Sequence, residues 1–138
     1  MPTTRTPSNI EIIFTDYLDA IRRGDIDTVA ARLAPEVTHH GVRADLVCPD
    51  RETVLASMRR RSLELPDVEA LELVAAGDRV VMSVRAEGIG QPVRDDDPPR
   101  GQASIVFTMR DGLITAMQDY TSRAEALAAA GAGVGEWE

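Results

Sequence analysis

The chain has no lysine, one cysteine and two histidines, and its charge leans one way. With Cys48 alone, no intrachain disulfide can form, which fits a reducing cytoplasm. All fifteen basic residues are arginine, set against 23 Asp and Glu, for a net charge of −8. Such a surface repels a phosphate backbone, so nucleic acid is not an expected partner unless the arginines cluster. Their densest group, Arg59, Arg60 and Arg61, reads as the end of a helix, where cations complement the dipole. No apolar run is long enough to cross a bilayer, so no membrane is expected as partner. The opening MPTTRTPSN carries no apolar signal region, and the expected location is cytoplasmic. There is no Gly-rich phosphate loop, no Ser nucleophile elbow and no metal-spaced Cys/His cluster. Neither a metal nor a cofactor is expected.

What is present is the balance of an ordinary globular protein, 43% hydrophobic and 28% charged over 138 residues. That length predicts one domain, able to bury a core without disulfide or metal support. Order is expected over about residues 8–130, with residues 1–7 and 131–138 as flexible tails.

Ser8-Asn9-Ile10-Glu11 reads as a capping box opening a helix to about Arg23, with Ile10, Ile13, Phe14, Tyr17, Leu18 and Ile21 at helical spacing. Gly24 stops it. Asp25 caps a second helix that Pro35 is expected to end, and Val37 to Val42 reads as a short strand. Asp50 caps a third helix with Val54, Leu55 and Met58 on one face. Beyond Pro66 the pattern alternates. Strands at 68–75 and 79–87 flank Gly77-Asp78, and strands at 102–109 and 113–120 flank Arg110-Asp111-Gly112, two hairpin signals. Between the hairpins lies a polar loop over 88–100, a possible lid. Ser122 to Glu125 is a further capping box, opening a short Ala-rich helix. The fold class is therefore α+β: a cone-shaped barrel in which three N-terminal helices pack on a strongly bent, mainly antiparallel sheet, with a short C-terminal helix.

The helix with Tyr17-Leu18 leading into GDIDTVAARLAPEV, the segment CPDRETVLASMRRR and the final hairpin MRDGLITAMQDY together resemble the nuclear transport factor 2-like superfamily, and within it the SnoaL-like, polyketide cyclase-like group. The resemblance implies a cone-shaped pocket for a small apolar molecule and a homodimer through the outer sheet face. Its members include isomerases, cyclases, dehydratases, epoxide hydrolases and noncatalytic binders, so fold alone does not set the chemistry. By resemblance to ketosteroid isomerases, the oxyanion-hole Tyr falls on Tyr17, but the general base falls near Gly41 and the second donor near Ile105, neither of which carries a side-chain proton. By resemblance to limonene-epoxide hydrolases, a catalytic Asp falls on Asp119, whereas the Arg-x-Asp pair falls on Val84 and Ala86. The late-strand acid/base Asp of the polyketide cyclases also corresponds to Asp119.

Asp119 is thus the first candidate, a carboxylate able to shuttle a proton in an apolar pocket. The bland alternative is a strand-end carboxylate held by backbone or an Arg. His39 and His40 point to opposite faces of their strand, so they cannot share a metal. His39, at a position that the family often fills with an inward aromatic residue, is the candidate partner of Asp119. Otherwise it is a space-filling core histidine. Tyr17 can donate to a ligand oxygen or be a core tyrosine satisfied locally. Cys48, without a placed His, reads as a small buried hydrophobe. Asp95-Asp96-Asp97 lacks Ca²⁺-loop spacing and reads as solvated loop. Phe14, Leu18, Met58, Met82, Val84, Phe107 and Met117 are the expected pocket lining. The expected function is small-molecule binding. It takes one of two forms: cofactor-independent isomerase, cyclase or lyase chemistry with Asp119, His39 and Tyr17 on an apolar carbonyl compound, or noncatalytic ligand binding. A dimeric interaction protein is the third alternative.

Overall fold

Ser8 opens the first helix: its hydroxyl accepts from the Glu11 amide at 3.2 Å and donates to the Glu11 carboxylate at 3.3 Å. The computed structural model describes residues 8–42, 47–61, 70–86 and 102–132. The 88–100 loop, residues 1–7 and 133–138, and the start of the strand expected from Val68 lie outside them.

The first helix, α1, is α-helical at Asn9–Glu11, widens to a π-helix over Ile12–Asp19, and returns to α geometry at Ala20–Arg22. Bonds from i to i+5 change which residues share a face. Ile12, Ile13 and Tyr17 are buried, and Phe14 is turned out, 53% exposed. Phe14 is therefore displaced from the pocket lining that a 3.6-residue period predicts for it. At the helix end, the amide of Asp25 reaches back to Ala20 O at 2.8 Å around Gly24. Asp25 then caps α2 (Ile26–Ala31), accepting from both the amide and the hydroxyl of Thr28.

The next strand, β1 (Leu33–His40), starts earlier than the proline suggests. Leu33 pairs with Ile114, the ladder then slips, and pairing resumes at Thr38 with Ala116. Pro35 sits inside the slip, the one place where a residue without an N–H costs the ladder nothing. A two-residue strand, β2 (Val47–Cys48), pairs antiparallel on β1 and is followed by α3 (Arg51–Arg61), whose first turn Asp50 caps through the Thr53 amide at 2.8 Å. Two hairpins complete the sheet. They are β3 (Ala70–Ala76) with β4 (Arg79–Arg85), and β5 (Gln102–Arg110) with β6 (Leu113–Tyr120). Both turns are two residues long, since Ala76 pairs with Arg79 and Arg110 with Leu113. Asp111 and Gly112 have φ of 53° and 79°, the paired positive angles that match strand twist.

The six strands run in the order β2-β1-β6-β5-β4-β3. All neighbours are antiparallel except β1 and β6. The sheet is strongly curved but not closed. Its register breaks, at Leu33/Thr38 and at Thr108/Met109, fall on strands at its centre, and extra residues of this kind bend a strand. The concave face holds the main core: Val80, Met82, Phe107, Met109, Ile114 and Met117 from the sheet against Ile13, Tyr17, Val29, Val54 and Met58 from the helices.

The C-terminal helix, α4 (Arg123–Ala130), packs on the other, convex face, where Ala126, Leu127 and Ala130 cover Val81 and Val106. It is fixed by Arg123, whose guanidinium donates twice to the Glu72 carboxylate at 2.7 and 2.8 Å, and by Arg79, which donates to Ala129 O. Under it, Ser83 and Ser104 hydrogen-bond to each other at 2.9 Å, satisfying the buried hydroxyls. No helix among the described residues is long and apolar enough to cross a membrane.

Candidate functional site

Register places the concave-face residues in rows. One row crosses the sheet as Val80, Phe107, Met117, His39 and Cys48, each in cross-strand register with the next. A second row, one residue pair further along, runs Leu73, Met82, Ile105 and Asp119. Asp119 thus lies two residues beyond Met117 on the same face of β6, diagonal to His39. The diagonal is closed by a hydrogen bond of 2.7 Å between His39 Nε2 and Asp119 Oδ1. Both side chains are mostly buried, 14% and 13% exposed. An ionised carboxylate only accepts, so against it Nε2 carries the proton and Nδ1 is left with a lone pair. The pair can therefore take up a proton at Nδ1 and spread the resulting charge onto Asp119.

The Val80, Phe107 and Met117 stretch of the first row, the deep part of the concave face, is packed solid. Val80, Phe107 and Met117 are fully buried, and Met58 and Met82 nearly so. The Tyr17 ring covers Phe107 edge-on, centroids 4.9 Å apart at 74°. Side chains with no accessible surface leave no water-sized space beside them. Of the expected lining, Met58, Met82, Phe107 and Met117 belong to the core, Leu18 and Val84 are half-buried against it, and Phe14 faces outward. Among the described residues, the concave face is partly accessible at Val84, Ile105, Asp119 and His39, and along β3 at Leu71, Leu73 and Ala75.

Tyr17 lies in the main core, its ring edge-on against Phe107, which is the register neighbour of Met117 in the row that leads to His39. His40, as strand alternation requires, is exposed, opposite Val47. Sequence reasoning missed the surroundings of Cys48. The signal that would have found them is β2: once Val47-Cys48 is seen as a strand on β1, its register sets Cys48 against His39. Cys48 is half-buried and packs on the main core. No three His, Cys, Asp or Glu side chains among the described residues are grouped to hold a metal ion. A separate open concavity of about 340 Å³ is lined by Gly24, Asp25, Ile26, Asp27 and Arg59, none of them from the sheet.

Comparison with known proteins agrees with this architecture. A family profile described as the SnoaL-like domain matches residues 14–117. No curated protein sequence matches. Among solved structures, an NTF2-like protein of unknown function from Cytophaga hutchinsonii is similar at TM-score 0.63 and 13% identity, over 89% of this chain and 97% of that one. A candidate SnoaL-like polyketide cyclase from Jannaschia sp. CCS1 is similar at TM-score 0.61 and 20% identity, over 96% and 100%. A de novo designed protein with a curved β-sheet is similar at TM-score 0.62 and 15% identity, over 87% and 90%. At these identities the likeness concerns the fold.

Proposed function

The chain belongs to the SnoaL-like domain family, and from that premise we propose that it binds a small, largely apolar carbonyl compound at the open end of the concave face and moves a proton on it without a cofactor. The observation that carries this reading is the His39–Asp119 hydrogen bond at the edge of an apolar floor. In the proposed reaction, His39 Nδ1 removes a proton from the carbon next to the carbonyl. Asp119 stabilises the imidazolium that forms, and the proton returns at another carbon, which makes the outcome an isomerisation, cyclisation or elimination. Tyr17, packed edge-on against Phe107, is assigned to the floor beneath the site and not to the ketone oxygen. A homodimer would use the outer sheet face, where α4 already covers Val81 and Val106, and the expected setting is a reducing cytoplasm.

One observation favours a second reading, binding without chemistry. Ile105, directly across from Asp119, gives the carboxylate no proton-donating neighbour on β5. Hydrogen–deuterium exchange separates the two. With a saturated bicyclic ketone in D₂O, the protein is expected to accelerate exchange at the α-carbon, and Asp119→Asn is expected to lower that rate about 10²-fold or more. Unchanged exchange in Asp119→Asn would sink the proton-transfer reading, and a bound ketone recovered without deuterium would establish the binder.

A further inference from the structure

His39 lies between two chain neighbours that carry reactive side chains. On the β6 side, Asp119 engages Nε2 at 2.7 Å. On the β2 side, Cys48 is the residue in direct antiparallel register with His39, so the two side chains leave the same face of the sheet. Directly opposed residues have Cβ atoms about 4.5–5.5 Å apart, within reach of a thiol and an imidazole after rotation about one side-chain bond. Three adjacent strands therefore present a thiol, an imidazole and a carboxylate in that order, the nucleophile, base and orienting group of a general covalent site.

We propose that Cys48 is a nucleophile of this site and adds reversibly to α,β-unsaturated carbonyl compounds. The proposal rests on the reading of His39 and Asp119 as a proton-transfer pair. In the step, the Sγ–H proton passes to His39 Nδ1, and the Sγ lone pair forms a bond to the β-carbon of the substrate. The C=C π pair moves onto the α-carbon and carbonyl oxygen as an enolate. The proton then goes from His39 to the α-carbon. Every atom and electron comes from thiol and enone, so no oxidant or other co-reactant is needed. Reversal releases the enone unchanged, or with its α-carbon proton exchanged. The half-buried position of Cys48 against the main core suits an apolar enone, and the absence of any second cysteine or any lysine leaves one soft nucleophile to capture it.

The test uses the full chain with 2-cyclohexenone, followed by intact-mass spectrometry over time. One equivalent of adduct is expected, formed faster than with glutathione at the same pH and absent from Cys48→Ser. His39→Gln, checked for folding by circular dichroism, is expected to slow the adduct about 10²-fold, the usual worth of a placed base. The urea-unfolded wild-type chain keeps the thiol but loses the neighbour, and it should react at the glutathione rate. No adduct, or an adduct whose rate equals that of glutathione and is unmoved by His39→Gln, overturns the proposal. The saturated ketone keeps the two readings apart, because it has no C=C conjugated to the carbonyl and so no electrophilic β-carbon for Cys48 to attack. Exchange on that ketone without an enone adduct removes the covalent role and leaves the proton-transfer pair standing.

Discussion

Replacing Phe107 with Ala asks whether the deep end of the concave face is packed or open. Phe107 has no accessible surface, and its register neighbours Val80 and Met117 have none either. Both flanking strands are themselves paired on their far sides, so the backbone cannot close on the space left behind. Under those conditions truncation of a buried Phe sits in the upper part of its usual range, about 4 kcal/mol. That figure includes about 0.5–1.5 kcal/mol for the lost edge-on contact with Tyr17. With a urea slope of about 1–3 kcal/mol per molar, the unfolding midpoint should fall by roughly 2 M. The hole would be lined by Tyr17, Val80 and Met117, apolar apart from one hydroxyl, and such a hole stays dry and accepts small aromatics. Benzene at one hundred times its dissociation constant would restore about 2.7 kcal/mol to the variant and little to the wild type. Urea melts of both proteins with and without benzene provide the measurement. A loss below about 1.5 kcal/mol, or equal stabilisation of both proteins by benzene, would refute the packed end and restore a cavity along the Phe107 row.

Gly112→Ala should destabilise by about 2 kcal/mol in a thermal melt. The new Cβ would sit at φ 79° and 3.2 Å from Arg32 Nη1, which donates to Gly112 O while its Nε bonds Asp16. The smaller effect of Gly77→Ala, where nothing lies within 4 Å of the added Cβ, provides the control. Acid should loosen the starts of α2 and α3 first. Hydroxyl donation first, and amide donation second, from Thr28 and Thr53 holds the carboxyls of Asp25 and Asp50 below their ordinary value, so their contribution is whole above the unfolded pKa and is lost as pH falls through the folded one. Amide exchange at Thr28 and Thr53 should therefore quicken at low pH, and Asp50→Asn should flatten that dependence at Thr53.

Features set by a few neighbouring residues were legible in the sequence. Ser8, Asp25, Asp50 and Ser122 cap their helices because each bond spans three residues. The two hairpins follow from two-residue turns that only a few residue types fill. The π-helix was not legible, because the apolar spacing of Ile10, Phe14 and Tyr17 fits an α-helix equally well. Two residues carry no strand pattern, so Val47-Cys48 became visible only when β1 offered it an edge. The juxtaposition of His39 and Asp119 came from resemblance, since nothing local links residues so far apart in sequence. The packed interior around Phe107 and Met117 was hidden for a related reason: an apolar residue that lines a cavity and one that fills it look the same in a sequence.

The parallel contact between β1 and β6 is also a statement about order of assembly. Each hairpin closes across a two-residue turn, a fast and local event. His39 and Asp119 meet only when strands separated by some eighty residues come together, and a longer loop costs more entropy to close. The chain can thus hold its caps and both hairpins before it holds its site. Whatever chemistry the pair performs is coupled to the completion of folding, and a protein caught short of that last pairing would carry neither the acid nor the base in place.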